Sequence, residues 1–151
     1  MTAEDIKFIK FLNLQGKILD IGSLDINGTI KAYCNGFYLG LDIRKGKNVN
    51  IQAISHNLPF KSECFDNIIS IGTLEHDAQF WTSMGEMSRV LKIGGKLILS
   101  VPGYKFKYHA HPKDYWRFSL DAVILLFNKF RDVNSWKSTI EDDCIRMYGT
   151  K

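Results

Sequence analysis

Near-continuous apolar runs mark the chain at KILDI (17–21), FYLGLD (37–42), FDNIISI (65–71) and KLILSV (96–101). Such runs suit strands of a parallel sheet covered on both faces, whereas a half-exposed sheet would alternate strictly. The expected strands are Lys17 to Ile21, Phe37 to Asp42, Val49 to Ala53, Asp66 to Ile71 and Lys96 to Val101. Helical spacing appears between and around them. Ile6, Ile9 and Leu12, preceded by Thr2 and Asp5 as a cap, predict a helix over 3–13. Phe80, Met84, Met87 and Leu91 recur at intervals of four, three and four, predicting a helix over 78–91 closed by Gly94-Gly95. Ser119 can cap a further helix that turns Leu120, Val123, Ile124 and Phe127 to the core. VNSWKST and CIRMYGT, around the acidic turn Glu141 to Asp143, read as a terminal β-hairpin. The stretches 28–36 and 54–65 are short for helical crossovers. The expected fold class is therefore α/β: a Rossmann-like, doubly wound, mostly parallel seven-stranded sheet with a C-terminal antiparallel hairpin and reduced helices.

With 151 residues, 45% hydrophobic and 24% charged, the chain is expected to form one domain over 1–151. Apolar runs such as Ala122 to Phe127 fall far short of the roughly 20 residues of a membrane span. The stretch MTAEDIKFIK lacks the apolar core of a secretory leader, so a cytoplasmic protein without a membrane partner is expected. Cys34, Cys64 and Cys144 are odd in number and contain no C-x-x-C pair; they are expected to be small buried apolar residues. A net charge of +4 on scattered lysines permits an anionic partner without demanding one. Without a basic arm or clustered aromatic platform, nucleic acid is not the expected partner.

In open parallel sheets ligands sit at the carboxyl ends of the strands, where strand order reverses. The stretch ILDIGSLDING (18–28) leaves the first strand there. Only Gly22 and Gly28 are glycine, with Leu24 and Asp25 where a G-x-G-x-x-G fingerprint needs its second glycine, so close approach by a pyrophosphate is disfavoured. Asp42, twenty residues beyond Gly22, is placed to accept hydrogen bonds from ribose hydroxyls. Taken alone, the loop also fits a plain strand-to-helix turn.

Four collinear segments decide between these readings: ILDIGS (18–23), YLGLDIR (38–44), HNLPFKSECFDNIISIGTLEH (56–76) and EMSRVLKIGGKLILSVPG (86–103). In order and spacing they resemble class I S-adenosylmethionine-dependent methyltransferases of the type 11 group, over most of residues 17–130. The resemblance implies S-adenosylmethionine as cofactor. It assigns Asp20 and Gly22 to the methionine pocket, with Ser23, Leu24, Asp25, Asn27 and Gly28 wrapping it. Leu24, Asp25 and Asn27 would present side chains where relatives have bare backbone. Asp42 would bind the ribose and Ile43 lie against adenine. Ile54 stands where most relatives have an acid that holds the adenine amino group, so backbone groups of Ile54 and Ser55, with His56 nearby, would take that part. Gly72, Thr73 and Leu74 would line the methionine carboxylate and sulfonium.

A sulfonium already carries an activated methyl group, so the protein mainly aligns an acceptor and, for a hydroxyl, removes a proton. No N-P-P-Y follows the fourth strand and no Pro-Cys nucleophile is present, which favours oxygen acceptors by elimination. Two stretches compete for the base. Glu75-His76 ends the fourth strand; some O-methyltransferases have E-x-x-E-H here and bind a divalent ion, but Gly72 replaces the first carboxylate, so no metal is expected. Glu75 and His76 either act on the acceptor or merely fix the loop. The second stretch, HAHPKDYWRF (109–118), is similar to a segment in type 11 relatives associated with glycan or natural-product modification. His111, Asp114 or Tyr115 could be base or orient the acceptor, with Glu75, Tyr104, His109 and Arg117 binding it. Alternatively Tyr115, Trp116 and Phe118 anchor the loop while Asp114 pairs with Arg117. The expectation is a mixture, with Trp116 and Phe118 structural and His111 and Asp114 facing the pocket. The favoured function is O-methylation of a small-molecule or sugar/glycan acceptor, in an open site that a second copy or a partner subunit could complete. A non-catalytic cofactor-binding subunit and an NAD-dependent oxidoreductase remain the other readings.

Overall fold

A computed structural model of the chain describes residues 1–26, 28–110, 113–136 and 143–151. The elements are α1 (Ala3–Leu12), β1 (Lys17–Ile21), β2 (Phe37–Asp42), β3 (Ile51–Gln52), β4 (Phe65–Ile71), α2 (Phe80–Val90), β5 (Leu91–Pro102), α3 (Leu120–Leu126), β6 (Arg131–Trp136) and β7 (Cys144–Thr150). They form one seven-stranded sheet in the order β3-β2-β1-β4-β5-β7-β6. The first five strands run parallel, and β7 lies antiparallel between β5 and β6.

Successive strand residues point to opposite faces, so a strand buried on both sides needs apolar residues throughout. Ile18, Ile69 and Ile98 pack on one face with Phe8 and Ile9 of α1. Leu19, Ile68, Leu97 and Leu99 pack on the other with Met84 and Met87 of α2 and Val123 of α3. The helices are few, as expected. Between β1 and β2 the described residues contain a single 3-10 turn, Lys31–Tyr33, and between β3 and β4 no helix.

Four details differ from the sequence reading. The third strand shrinks to two residues, because Val49 N donates to the Gly46 carbonyl in a turn with Asn48 at φ 67°. Gly94-Gly95 does not close α2; the helix ends at Val90 and both glycines lie inside β5. There the register jumps from Phe65–Leu91 to Asn67–Lys96, and a Cβ on Gly95 would sit 2.9 Å from the Asp66 carbonyl oxygen. Val123 and Phe127 are buried, but Leu120 and Ile124 on the seven-residue α3 are about half exposed. Of the cysteines only Cys144 is buried; Cys34 and Cys64 are intermediate.

Thr2 and Asp5 form the expected reciprocal cap, Asp5 N donating to Thr2 Oγ1 and Thr2 N to Asp5 Oδ2. Asp5 is also buried, and its Oδ1 accepts from Arg146 Nε at 2.7 Å and Ser100 Oγ at 2.8 Å. The cap therefore ties α1 to β5 and β7. The terminal hairpin forms, although most of its acidic turn, Glu141 to Asp143, falls outside the described residues.

Candidate functional site

Strand order reverses beside β1: β2 and β3 extend the sheet one way, β4 and β5 the other. Loops leaving the carboxyl ends of these strands part there and leave a crevice. A cavity of about 840 Å³ occupies it, within the range of small-ligand sites.

Its first half is built on β1 and β2. Gly22 has φ +84°, and a Cβ there would lie 2.0 Å from Thr73 Oγ1, so glycine is required where the two strand ends meet. Gly22 N and Ser23 N both donate to the Leu41 carbonyl, binding the loop to β2. Asp42 lines the cavity with its carboxylate fixed: Oδ1 accepts from Arg44 N at 2.8 Å and Oδ2 from Leu24 N at 3.4 Å. Ser23, Leu24, Gly28, Ile43, Ile54 and Ser55 line the same cavity. So does His56, whose Nδ1 is buried without a hydrogen-bond partner, 3.9 Å from Asp77 Oδ1. Asp20, buried at the base, accepts from Tyr38 Oη. Burial raises its carboxyl to about 7, helped by the nearby Asp42 charge and opposed by the Tyr38 hydroxyl.

The second half is built on the loops after β4 and β5. Gly72, Thr73, Glu75, His76, His109 and Tyr115 line it. Tyr115 N and Trp116 N donate to the Glu75 carbonyl, and Trp116 Nε1 donates to the Asp77 carbonyl, latching the later loop onto the earlier. His76 Nδ1 lies 2.5 Å from the Lys113 carbonyl oxygen, which can only accept, so Nδ1 carries the proton and Nε2 the lone pair. Burial lowers the His76 pKa below its usual value, the Lys113 carbonyl opposing. The His76 and His109 rings meet edge to face at 4.9 Å. Glu75 is 2% exposed, its carboxyl raised to about 7 by burial.

Five expected site residues do not line the cavity. Leu74 is fully buried in the core beside Met84 and Val101. Asp25 turns to Lys47 Nζ at 2.8 Å and accepts from Gly28 N. Tyr104 is 74% exposed, with Lys105 Nζ over its ring. Asp114, expected to face the pocket, has a fully buried side chain that accepts from Arg117 Nη1 and Nη2 and from His109 N. The Arg117 guanidinium holds its carboxyl well below the usual range, and Arg117 is spent on that pair and on the carbonyls of Phe106 and Lys107. Trp116 and Phe118 pack against Phe80, as structural anchors should. Asn27 and His111 lie outside the described residues. Thr2, Asp5 and Asp77 also line the cavity; the sequence marks Thr2 and Asp5 only as a helix cap and gives no signal for Asp77.

The family described as Methyltransferase domain, of type 11, matches residues 17–99, and the chain belongs to it. S-adenosylmethionine is accordingly its cofactor. The cavity presents a fixed carboxylate at Asp42 and an unpartnered ring nitrogen at His56, next to Ser55. Solved structures share the fold. An S-adenosylmethionine-dependent methyltransferase from Thermotoga maritima is 18% identical with a TM-score of 0.76, covering 98% of this chain and 88% of that one. The 1,6-didemethyltoxoflavin-N1-methyltransferase of Burkholderia thailandensis, solved with bound 1,6-didemethyltoxoflavin and S-adenosylhomocysteine, is 15% identical with a TM-score of 0.79, covering 99% of this chain and 78% of that one. A Haloferax volcanii methyltransferase solved with the Trm112 methyltransferase activator is 14% identical with a TM-score of 0.71, covering 97% and 88%. At these identities the likeness is one of fold. No curated protein matches the sequence. Among the described residues no helix is long and apolar enough to cross a membrane.

Proposed function

We propose that this chain methylates an oxygen of a small-molecule or sugar/glycan acceptor. The observation that supports this most is the wall of Glu75, His76, His109 and Tyr115, lining the same cavity as the Asp42 carboxylate. S-adenosylmethionine supplies an electrophilic methyl group when bound. Asp42 holds the ribose, and the tight Gly22–Thr73 contact keeps the loop after β1 against the strand ends. An acceptor hydroxyl meets His76 Nε2, which is free to take the proton because Nδ1 already carries one and burial disfavours the charged imidazolium. Tyr115 and His109, both part-exposed at the mouth, contact the rest of the acceptor.

The test is a screen of hydroxylated acceptors with methyl-labelled S-adenosylmethionine, comparing wild type with His76→Ala. Label in an O-methyl product, lost in the variant, is expected. Label on nitrogen, or unchanged transfer by His76→Ala, contradicts the assignment. Binding of S-adenosylhomocysteine without transfer to any acceptor would favour a cofactor-binding subunit.

A further inference from the structure

The wall of the cavity opposite in origin to the Asp42 side contains an electrostatic puzzle. Glu75 Oε1 lies 3.8 Å from His76 Nε2 and 3.5 Å from His109 Nε2. His76 Nδ1 faces the Lys113 carbonyl, and His109 Nδ1 lies 3.2 Å from both Asp114 Oδ2 and the Lys107 carbonyl oxygen. These partners only accept hydrogen bonds, so each imidazole places its proton on Nδ1 and aims the lone pair of Nε2 at Glu75. The second carboxylate oxygen, Glu75 Oε2, is buried and has no hydrogen-bond partner among the described residues. Three lone-pair atoms thus converge, within 4.8 Å of one another, on a face open to the cavity.

We infer that Glu75, His76 and His109 form a site for one divalent first-row transition ion of the zinc type. Ion–ligand distances of about 2.0–2.2 Å place neighbouring ligand atoms roughly 3–3.5 Å apart, so modest inward movement of the side chains suffices. Two imidazoles and one carboxylate select zinc-like ions over magnesium, which takes oxygen ligands. Nδ1 of each histidine is held by a carbonyl or carboxylate, the arrangement that orients imidazole ligands and strengthens them. Tyr115 N and Trp116 N, donating to the Glu75 carbonyl, keep the His109 loop fastened to the Glu75 loop. Gly72 stands where a metal-binding E-x-x-E-H has its first carboxylate, and His109, brought in from the far loop, takes the place of that missing ligand. Three protein ligands leave a coordination position facing the cavity, where a bound hydroxyl becomes more acidic. This deepens the function proposed above and rests on it only for the identity of that hydroxyl; in the ion-loaded protein His76 Nε2 would be a ligand, and the proton given up by the acidified hydroxyl would pass to water at the open mouth of the cavity instead of to His76.

The test begins with wild-type protein stripped by a chelator and titrated with Zn²⁺ by calorimetry and with Co²⁺ by visible absorption. One equivalent of each ion is expected to bind, the Co²⁺ form showing d–d bands, with millimolar Mg²⁺ unable to displace either. Glu75→Gln and His109→Ala should each weaken Zn²⁺ at least tenfold. Asp114→Asn, which removes no ligand, should weaken it by roughly 10- to 100-fold through the orientation of His109. S-adenosylhomocysteine binding in the presence of chelator reports the integrity of each variant. Failure of Zn²⁺ to bind stoichiometrically, or affinity unchanged in both Glu75→Gln and His109→Ala, overturns the site. Zinc without S-adenosylhomocysteine binding keeps the site and removes the methyl-transfer reading; S-adenosylhomocysteine without zinc does the reverse.

Discussion

The two halves of the cavity are made differently. On the Asp42 side, backbone does the positioning: the Gly22 and Ser23 amides donate to the Leu41 carbonyl, and the Leu24 and Arg44 amides donate to Asp42. On the Glu75 side, side chains from two loops converge, His76 beside Glu75 in sequence and His109 from beyond β5. The first half is a property of strand ends held by backbone hydrogen bonds. The second depends on individual ionisable groups, and that is where specificity and chemistry can diverge within one fold.

The sharpest way to separate the halves is His76→Ala. Turnover is expected to fall by roughly 10²- to 10⁴-fold while S-adenosylhomocysteine affinity stays within about twofold. Parallel loss of both in calorimetry and label-transfer assays would show that the halves are not independent.

A pH series probes the base of the first half. Asp20 has its folded carboxyl raised from 3.8 to about 7 by burial. Its contribution to stability is full below about pH 4 and is lost as pH rises through 7, because the charged form is disfavoured in the fold. Unfolding free energies from urea titrations should therefore fall between about pH 4 and 7, by at most about 4 kcal/mol from this group. Asp20→Asn should flatten that slope. An equal slope in the variant would mean that the Asp20 environment, including Tyr38 and Asp42, leaves its charge unpenalised.

Gly22→Ala should cost about 2–3 kcal/mol in urea unfolding, since it combines a positive φ with a Cβ placed against Thr73. Gly72→Ala should cost less: its φ is +60°, but the nearest atom to a new Cβ is 3.5 Å away. A reversed order would break the distinction between a packed strand-end contact and an open acceptor wall.

The Asp42 half could be read from the sequence because its parts are local. Continuous apolar runs give buried parallel strands, and Gly22 with Asp42 sits at fixed offsets from the strand ends. The Glu75 half could be read only as fragments. Nothing in the spacing of Glu75-His76 and His109 reveals that the loops touch, since the latch runs through backbone amides of Tyr115 and Trp116. The same limit explains Asp114: its type and position suit an exposed base, but Arg117 one helical turn's distance away captures it. The motif position of Leu74 points to the cofactor, but its apolar side chain follows the simpler rule and enters the core. Asp5 was visible as a cap, and its buried contact with Arg146 needed the fold.

Asp42 is expected to organise the cofactor half independently of the Glu75 wall. Calorimetric titration of S-adenosylhomocysteine into wild type, Asp42→Ala and Glu75→Gln tests it directly. Micromolar-range binding is expected of wild type and of Glu75→Gln, with Asp42→Ala weaker by roughly tenfold or more through loss of charge-assisted hydrogen bonds to ribose. Binding unaffected by Asp42→Ala, or abolished by Glu75→Gln, would contradict it.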